Sequence, residues 1–485
     1  MNRDQQRETP LYDALKKYTA RDTVHFDVPG HKKRNSPDLA EAFGQQVLRM
    51  DANSTKELDM LGNSSGVILQ AEQLMAQAYG ADHAFLLVNG STSGVLYMVM
   101  TACAPKDKII MPRNVHKSAI NAVILSGAVP VFVQPEIDPE YGIANSLSFE
   151  DIKETLKEHP DARAVFIINP TYFGATPDLK SIIRYCHRHK VAVLVDEAHG
   201  AHLPFHPDLP DSAMAAGADM STVSMHKTGG SLTQSSVLLL NEGLIQKHQV
   251  NTVVNLMQTT SASYLLMASL DIARRHLALR GRKFYDEMLA VLDEAKREIG
   301  RMPGLSVLTR EYINGSGLYD YDETKLVIRA NDLGFTGFEI YDLLREEYGI
   351  QVELAETYVI LAVVGTGDDR STVNKLVEAL RDISRRHFGT RKPFCVSLAD
   401  FFEKPRTVIA PRDAWYSPKK VMPILESVGE VCGESIMIYP PGIPLIIPGE
   451  RVTEKVVEHY QFYLDQHCVV AHDEDHPMQI KVLGE

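Results

Sequence analysis

None of the 485 residues falls in an apolar run of the 18 or more positions that a membrane helix needs, and the opening MNRDQQRETPLYDALKKY is polar. Neither a membrane span nor a secretory leader is expected. Cysteine is scarce and scattered: Cys103, Cys186, Cys395, Cys432 and Cys468 are odd in number and form no CxxC pair. A disulfide framework is not expected, and a reducing cytoplasm is. Positive charge is also short, with 50 Lys and Arg against 63 Asp and Glu and a net charge of −13. Nucleic acid is a poor partner for such a chain, because binding phosphate backbones needs a basic face. The negative field would suit a cationic substrate, or simply keep the protein in solution. There is no internal repeat and no low-complexity tract.

Hydrophobic residues make up 44% and charged residues 23%, the balance of an ordinary globular protein. The length calls for two or three domains. From about 80 to 241, short apolar runs recur: AFLLV (84–88), KIIMP (108–112), PVFVQ (130–134), AVFII (164–168), VAVLV (191–195) and SSVLLL (235–240). Amphipathic helical stretches separate several of them, at 117–126, 149–158 and 179–189. Strands that are apolar throughout are buried on both faces, so the pattern predicts an α/β fold with a mostly parallel central sheet and helices on both faces. A long helix is expected over 264–299. A smaller α+β domain would follow over 301–390, and a linker with a carboxy-terminal unit over 391–485. The large domain would then span 76–300, after an N-terminal segment of residues 1–75.

In sheets of this kind the chemistry gathers at the carboxyl ends of the strands. Four motifs lie there. NGSTSG (89–94) follows the first apolar run and opens a helix, where N–H groups and the hydroxyls of Ser91, Thr92 and Ser93 suit a phosphate, or merely cap the helix. VDEAHG (195–200) puts Asp196 at a strand end, where an unpaired buried carboxylate is costly and so calls for a partner. His199, His202 and His206 follow in a spacing that metal ligands or loop histidines would share. STVSMHKTGGS (221–231) carries Lys227 just after a strand, and an amine there is suited to imine formation with a carbonyl cofactor. PRNVHKS (112–118) brings His116 to a neighbouring strand end, able to stack on a flat ring or to serve the fold. Phosphate cradle, strand-end Asp and downstream Lys together match pyridoxal 5′-phosphate (PLP).

These pieces, with FDVPGHK (26–32), NPTYFG (169–174), TTSASY (259–264) and YPPGIPLIIPGE (439–450), resemble the PLP-dependent Orn/Lys/Arg decarboxylase family of the aspartate-aminotransferase fold, PLP fold type I. The resemblance covers nearly the whole chain, and is greatest to the family's short form, the bacterial biosynthetic arginine decarboxylases. It implies that Lys227 bonds the cofactor and that Asp196 partners the pyridinium nitrogen. It makes His116 the ring-stacking histidine and sets His199 near the ring's O3′. Ser91, Thr92, Ser224 and His226 would hold the phosphate, and Thr260 would reach the phosphate of a neighbouring subunit in a homodimer. Glu353 is a candidate for the distal cationic end of the substrate, or an ordinary strand carboxylate. One departure bears on the substrate: where short-form members carry an Asp-Asp-Leu-His-like stretch, this chain reads KELDMLGNSSGVI (56–68).

The activity implied is decarboxylation of a basic L-amino acid, arginine to agmatine for polyamine synthesis, with lysine and ornithine as alternatives. No metal is called for. Rival readings are a PLP aminotransferase or lyase, a metal hydrolase built on Asp196, Glu197 and the three histidines, and a catalytically dead homologue.

Overall fold

The computed structural model describes residues 2–33, 37–393, 406–439, 442–466, 468–473 and 476–484. Most of the linker expected near 389–407, together with Cys395 and Pro440–Pro441 of the tail motif, lies outside them. The chain divides into two compact units, one of residues 1–101 with 194–286 and one of 102–193 with 287–485.

In chain order the first strands are β1 (His83–Leu87), β2 (Lys108–Pro112), β3 (Val129–Val133), β4 (Ala162–Ile168), β5 (Ala175–Thr176), β6 (Ala192–Asp196), β7 (Met220–Val223) and β8 (Ser236–Leu240). The first unit has the strand order β1-β8-β7-β6. There β6 and β7 are parallel, whereas β8 runs antiparallel to both β7 and β1. This departure from the parallel pattern has a simple cause. A parallel neighbour needs a crossover of about a dozen residues or more, usually through a helix, and the connection from Val223 to Ser236 is at that limit with only the four-residue helix Met225–Thr228 in it. Strand β7 escaped the search for apolar runs because its centre is Ser221-Thr222. Both residues are fully buried, and Thr222 Oγ1 donates to Val237 O at 3.2 Å.

Strand β1 has β8 on one side only, so the outward backbone groups of Leu86 need other partners. Side chains supply them. Leu86 N–H donates to Glu72 Oε1 (3.2 Å), and Gln258 Nε2 donates to Leu86 O (3.2 Å). Burial pushes the Glu72 carboxyl up to about 7, against the opposing pull of the Ser64 hydroxyl and the Leu86 N–H. The amino-terminal segment is fastened to the helix Tyr264–Ile299, whose bounds match the 264–299 expectation. Arg274, fully buried, donates to Gln6 O and Glu8 O and pairs with Asp271 at 2.6 Å. Asp271 Oδ2 in turn accepts from Leu11 N–H at 3.1 Å, in the first turn of the helix Pro10–Thr19.

The second unit has β4-β2-β3 in parallel. It adds β9 (Ser306–Val307), β10 (Asp320–Tyr321), β11 (Lys325–Arg329), β12 (Leu354–Ala355) and β13 (Val359–Val363). These form an antiparallel sheet β12-β13-β11-β9 and a short β10–β5 pair. Leu308, Val327, Leu354 and Leu361 pack there with Tyr141 and Phe173. The carboxy-terminal part contributes β14 (Lys419–Pro423) and β18 (Gln479–Leu483) as a pair, and β15 (Ile436–Tyr439), β16 (Ile443–Ile446) and β17 (Val469–Ala471) as a second small sheet. Ile424, Ile436, Ile446, Val456, Tyr460 and Ile480 share one core.

Candidate active site

Three turns of the first unit, leaving β1, β6 and β7, carry most of the residues singled out in the sequence. After β1 the chain reverses at Gly90, whose φ of +68° is a left-handed conformation that L side chains rarely adopt, and enters the helix Gly90–Ala102. Gly94 lets that helix lie against β7: a Cβ there would stand 2.0 Å from Thr222 Oγ1. The first-turn N–H groups have no acceptor within the helix and carry the positive end of its dipole, the ordinary basis of anion binding. Ser91 is buried and accepts from Ser224 Oγ at 2.8 Å, Thr92 is exposed, and Ser93 Oγ donates back to Gly90 O at 2.8 Å. Two hydroxyls from different strands thus meet beside a helix N-terminus.

Strand β6 ends at Asp196, which is 8% exposed and accepts from Ala198 N–H at 3.1 Å. Burial pushes its carboxyl up, while the charge of Lys227 and the Ala198 N–H oppose the rise. A buried carboxylate in this position favours a cation beside it. Its neighbour Glu197 serves the frame instead, accepting from Ala213 N–H (2.7 Å) and from Ser221 Oγ (3.2 Å). The three histidines that follow go to different partners. His199 Nε2 lies 2.8 Å from Lys227 Nζ, His202 Nδ1 lies 3.1 Å from Thr228 Oγ1, and His206 Nε2 lies 3.0 Å from Asp286 Oδ1. Among the described residues no three His, Cys, Asp or Glu side chains converge as metal ligands. The metal-hydrolase reading therefore has no geometry behind it.

Lys227 sits in the short helix Met225–Thr228 that follows β7, half-buried, with its ammonium donating to His199. The neighbouring His226 has Nδ1 2.9 Å from Ser235 O; since a carbonyl only accepts, that nitrogen carries the proton. Sequence reasoning missed Tyr79. Its hydroxyl stands 2.7 Å from Ala201 O and 2.8 Å from Met225 Sδ, joining the turn of His199 to the turn of Lys227. Nothing in the local sequence marks it, because a buried tyrosine at a helix end reads as packing. The unusual 56–68 segment also acquires a role in the fold. Asp59 Oδ2 accepts from Gly66 N–H at 2.7 Å and Ile68 N–H at 3.2 Å, capping the helix Val67–Tyr79. Thr260 lies exposed in the loop before the long helix.

The remaining two candidates belong to the second unit. His116 caps the helix Lys117–Ser126, its Nδ1 accepting from Ser118 N–H at 3.2 Å, so the proton of a neutral ring sits on Nε2. Glu353 is exposed, although its own N–H is tied to Leu361 O at 2.9 Å. It borders a groove of about 390 Å³ with Gln351, Ala362, Asp368 and Lys375.

Residues 9–372 match the family model for the major domain of Orn/Lys/Arg decarboxylases, and residues 398–471 match the model for their C-terminal domain. The chain belongs to the Orn/Lys/Arg decarboxylase family. It is 44% identical over 483 residues to an arginine decarboxylase of Bacillus subtilis (strain 168), covering 99% of each chain. An arginine decarboxylase of Bacillus anthracis is 40% identical over 488 residues, covering 100% of this chain and 99% of that one. The lysine decarboxylase LdcA of Pseudomonas aeruginosa is more distant, at 24% identity over 92% of this chain and 74% of that one. The crystal structure of the Francisella novicida lysine decarboxylase LdcF shares the fold, with a TM-score of 0.85 at 20% identity over 98% of this chain and 81% of that one. The protein is thus a PLP-dependent amino-acid decarboxylase with the α/β architecture of PLP fold type I. The side chains fit the cofactor: a helix N-terminus with paired hydroxyls for a phosphate, a buried carboxylate for a ring cation, and a lysine amine for an aldehyde.

Proposed function

We propose that this decarboxylase converts L-arginine to agmatine and CO2, an early step of polyamine synthesis in the cytoplasm. The observation that carries the reading is the contrast among relatives. Those named arginine decarboxylase are 40 to 44% identical to the chain, and those named lysine or ornithine decarboxylase are 22 to 24% identical.

When bound, PLP supplies an aldehyde that holds the substrate amine and a protonated ring that takes up the electron pair left behind by CO2. The residues have these roles. Lys227 would hold the cofactor through its amine and, once displaced, would stay at hand as a base or acid. Asp196 keeps the proton on the ring nitrogen, His116 covers one ring face, and His199 lies at the O3′ side. Ser91, Thr92, Ser224 and His226 hold the phosphate, with Ser93 bracing the turn. Lys227 Nζ returns a proton to Cα after CO2 has left, with His226 as the second candidate donor. Glu353 receives the guanidinium, where a carboxylate offers paired acceptors that a lysine ammonium uses less well. Residues 76–300 form the cofactor-binding part and 301–390 the smaller substrate-side domain.

The working species is a homodimer in which Thr260 reaches the partner's phosphate. Two exposed features of the first unit support this. The FDVPGHK segment leaves Phe26 94% exposed with Val24 and Val28 beside it in sequence, and Leu256, near Thr260, is 74% exposed. Exposed apolar side chains close together in sequence suit cover by a second copy of the chain.

The test is one assay of CO2 and amine product from arginine, lysine and ornithine. Arginine should give a kcat/KM at least roughly tenfold above the others, within the range a site with polar contacts discriminates. A higher value for lysine or ornithine would overturn the substrate, and keto acid in place of CO2 would turn the reading toward an aminotransferase.

A further inference from the structure

The tail motif YPPGIPLIIPGE has no part in the chemistry above, and the second unit gives it a different task. The turn between β2 and the helix Lys117–Ser126, which ends in His116, is held by that motif at several points. Arg113, 6% exposed, donates through Nη1 to Pro444 O (3.0 Å) and through Nη2 to Leu445 O (3.4 Å) and to Glu450 Oε2 (2.9 Å). Lys117 N–H donates to Gly442 O at 3.1 Å. Glu450 is fully buried and is itself fixed, since Oε2 also accepts from Ile447 N–H at 3.0 Å. The turn that presents it requires glycine: Gly449 has φ +90°, and a Cβ there would stand 2.1 Å from Ile409 O. The other end of the same helix is held as well. Arg412 Nη1 donates to Leu125 O at 2.7 Å, and Gly127 lets the arginine stem approach, a Cβ there standing 3.0 Å from Arg412 Cδ.

We propose that the carboxy-terminal segment clasps the helix Lys117–Ser126 at both ends, and that Arg113 and Glu450 are positioning residues that set the angle of the His116 ring. The inference rests on the reading of His116 as the group covering a face of the cofactor. Its physical basis is the number of constraints. His116 is the N-cap residue, so its ring is tied to the helix through Ser118, and any rotation or slide of the helix moves the ring with it. A planar guanidinium bound to two carbonyls and a carboxylate resists both motions, which a single point charge does not. A ring that stacks is sensitive to small tilts, and misplacements of about 1 Å in positioning groups cost up to roughly a hundredfold in rate.

The experiment is a double-mutant cycle of Arg113→Lys and His116→Ala in the full-length holoenzyme. Turnover, KM, the visible absorption and circular dichroism of the bound cofactor, and thermal unfolding would be read together. Arg113→Lys keeps the charge opposite Glu450 and loses the fork. It should lower kcat about tenfold with KM within about twofold, and weaken the induced circular dichroism of the cofactor. Added to His116→Ala, the same change should cost less than about twofold more, because the ring it positions is gone. A slowed His116→Ala enzyme on which Arg113→Lys still exacts its full penalty would overturn the positioning role. Unchanged turnover and spectrum in Arg113→Lys would do so as well. If His116→Ala alone leaves turnover unchanged, the reading of His116 fails, and the clasp has no ring to position. Should Arg113→Lys not fold, Arg412→Met, which frees only the far end of the helix, goes through the same cycle and is judged by the same outcomes.

Discussion

Asp196 and Glu353 are both carboxylates beside a strand end, and the protein surrounds them in opposite ways. Asp196 closes a fully buried strand, accepts a backbone N–H from its own turn and feels the charge of Lys227 in the turn after β7. Glu353 stands exposed just before the two-residue strand β12, on the border of an open groove. A cofactor that remains bound through every turnover justifies a costly buried charge held in one place. A substrate that must enter and leave is better met by side chains that water can reach. The rigid surroundings should therefore carry the rate, and the open ones the choice of substrate.

The largest test of that contrast is Lys227→Ala. Turnover should fall by roughly a thousandfold or more, as expected on losing the amine proposed to bond the cofactor. Borohydride reduction of the wild-type holoenzyme followed by peptide mapping should label Lys227, and a label on any other lysine would move the site. Next in size is Asp196→Asn, which keeps the shape and loses the charge. It should lower kcat by about a hundredfold to a thousandfold and change KM far less, as for other electrostatic stabilisers. Near wild-type kcat in the cofactor-saturated variant would break the assignment. The smallest effect is expected at Glu353→Gln: KM for arginine should rise about two- to fivefold with kcat unchanged, in keeping with the modest strength of exposed ion pairs. An unchanged KM would place the guanidinium on another group.

The same contrast explains what could be read before the fold was known. The helices over 117–126, 149–158 and 264–299 stand where their periodicity puts them, because amphipathic spacing is local information. Lys227 and Asp196 stand out as candidates for a related reason: each lies at or just after a strand end within one short motif. Strand β7, implied only as the strand before Lys227, does not stand out as an apolar run, since buried Ser221 and Thr222 draw their partners from elsewhere in the fold and look polar in the sequence. The pairing of Arg113 with Glu450 was further out of reach, since they lie 337 positions apart. Only a fold can bring such residues together. Glu353 shows the reverse limit, for its motif is visible while the partner proposed for it is a molecule that comes and goes.

The fastening of the amino terminus to Arg274 has a consequence for how the chain is made. Gln6 and Arg274 are 268 positions apart, so this fastening cannot form until the chain has grown that far beyond Gln6. In the interval Gln6 can reach Leu74 O and the helix Pro10–Thr19 can pack against the helix Val67–Tyr79, while the ties to Asp271 and Arg274 are still missing. The whole of 102–193, which belongs to the other unit, emerges meanwhile and can begin to fold around its own strands. Closing so long a loop is slow relative to local contacts, and exposed apolar surface during the delay invites aggregation. Residues 6–11 are thus docked in two stages, first on the helix Val67–Tyr79 and later on Asp271 and Arg274.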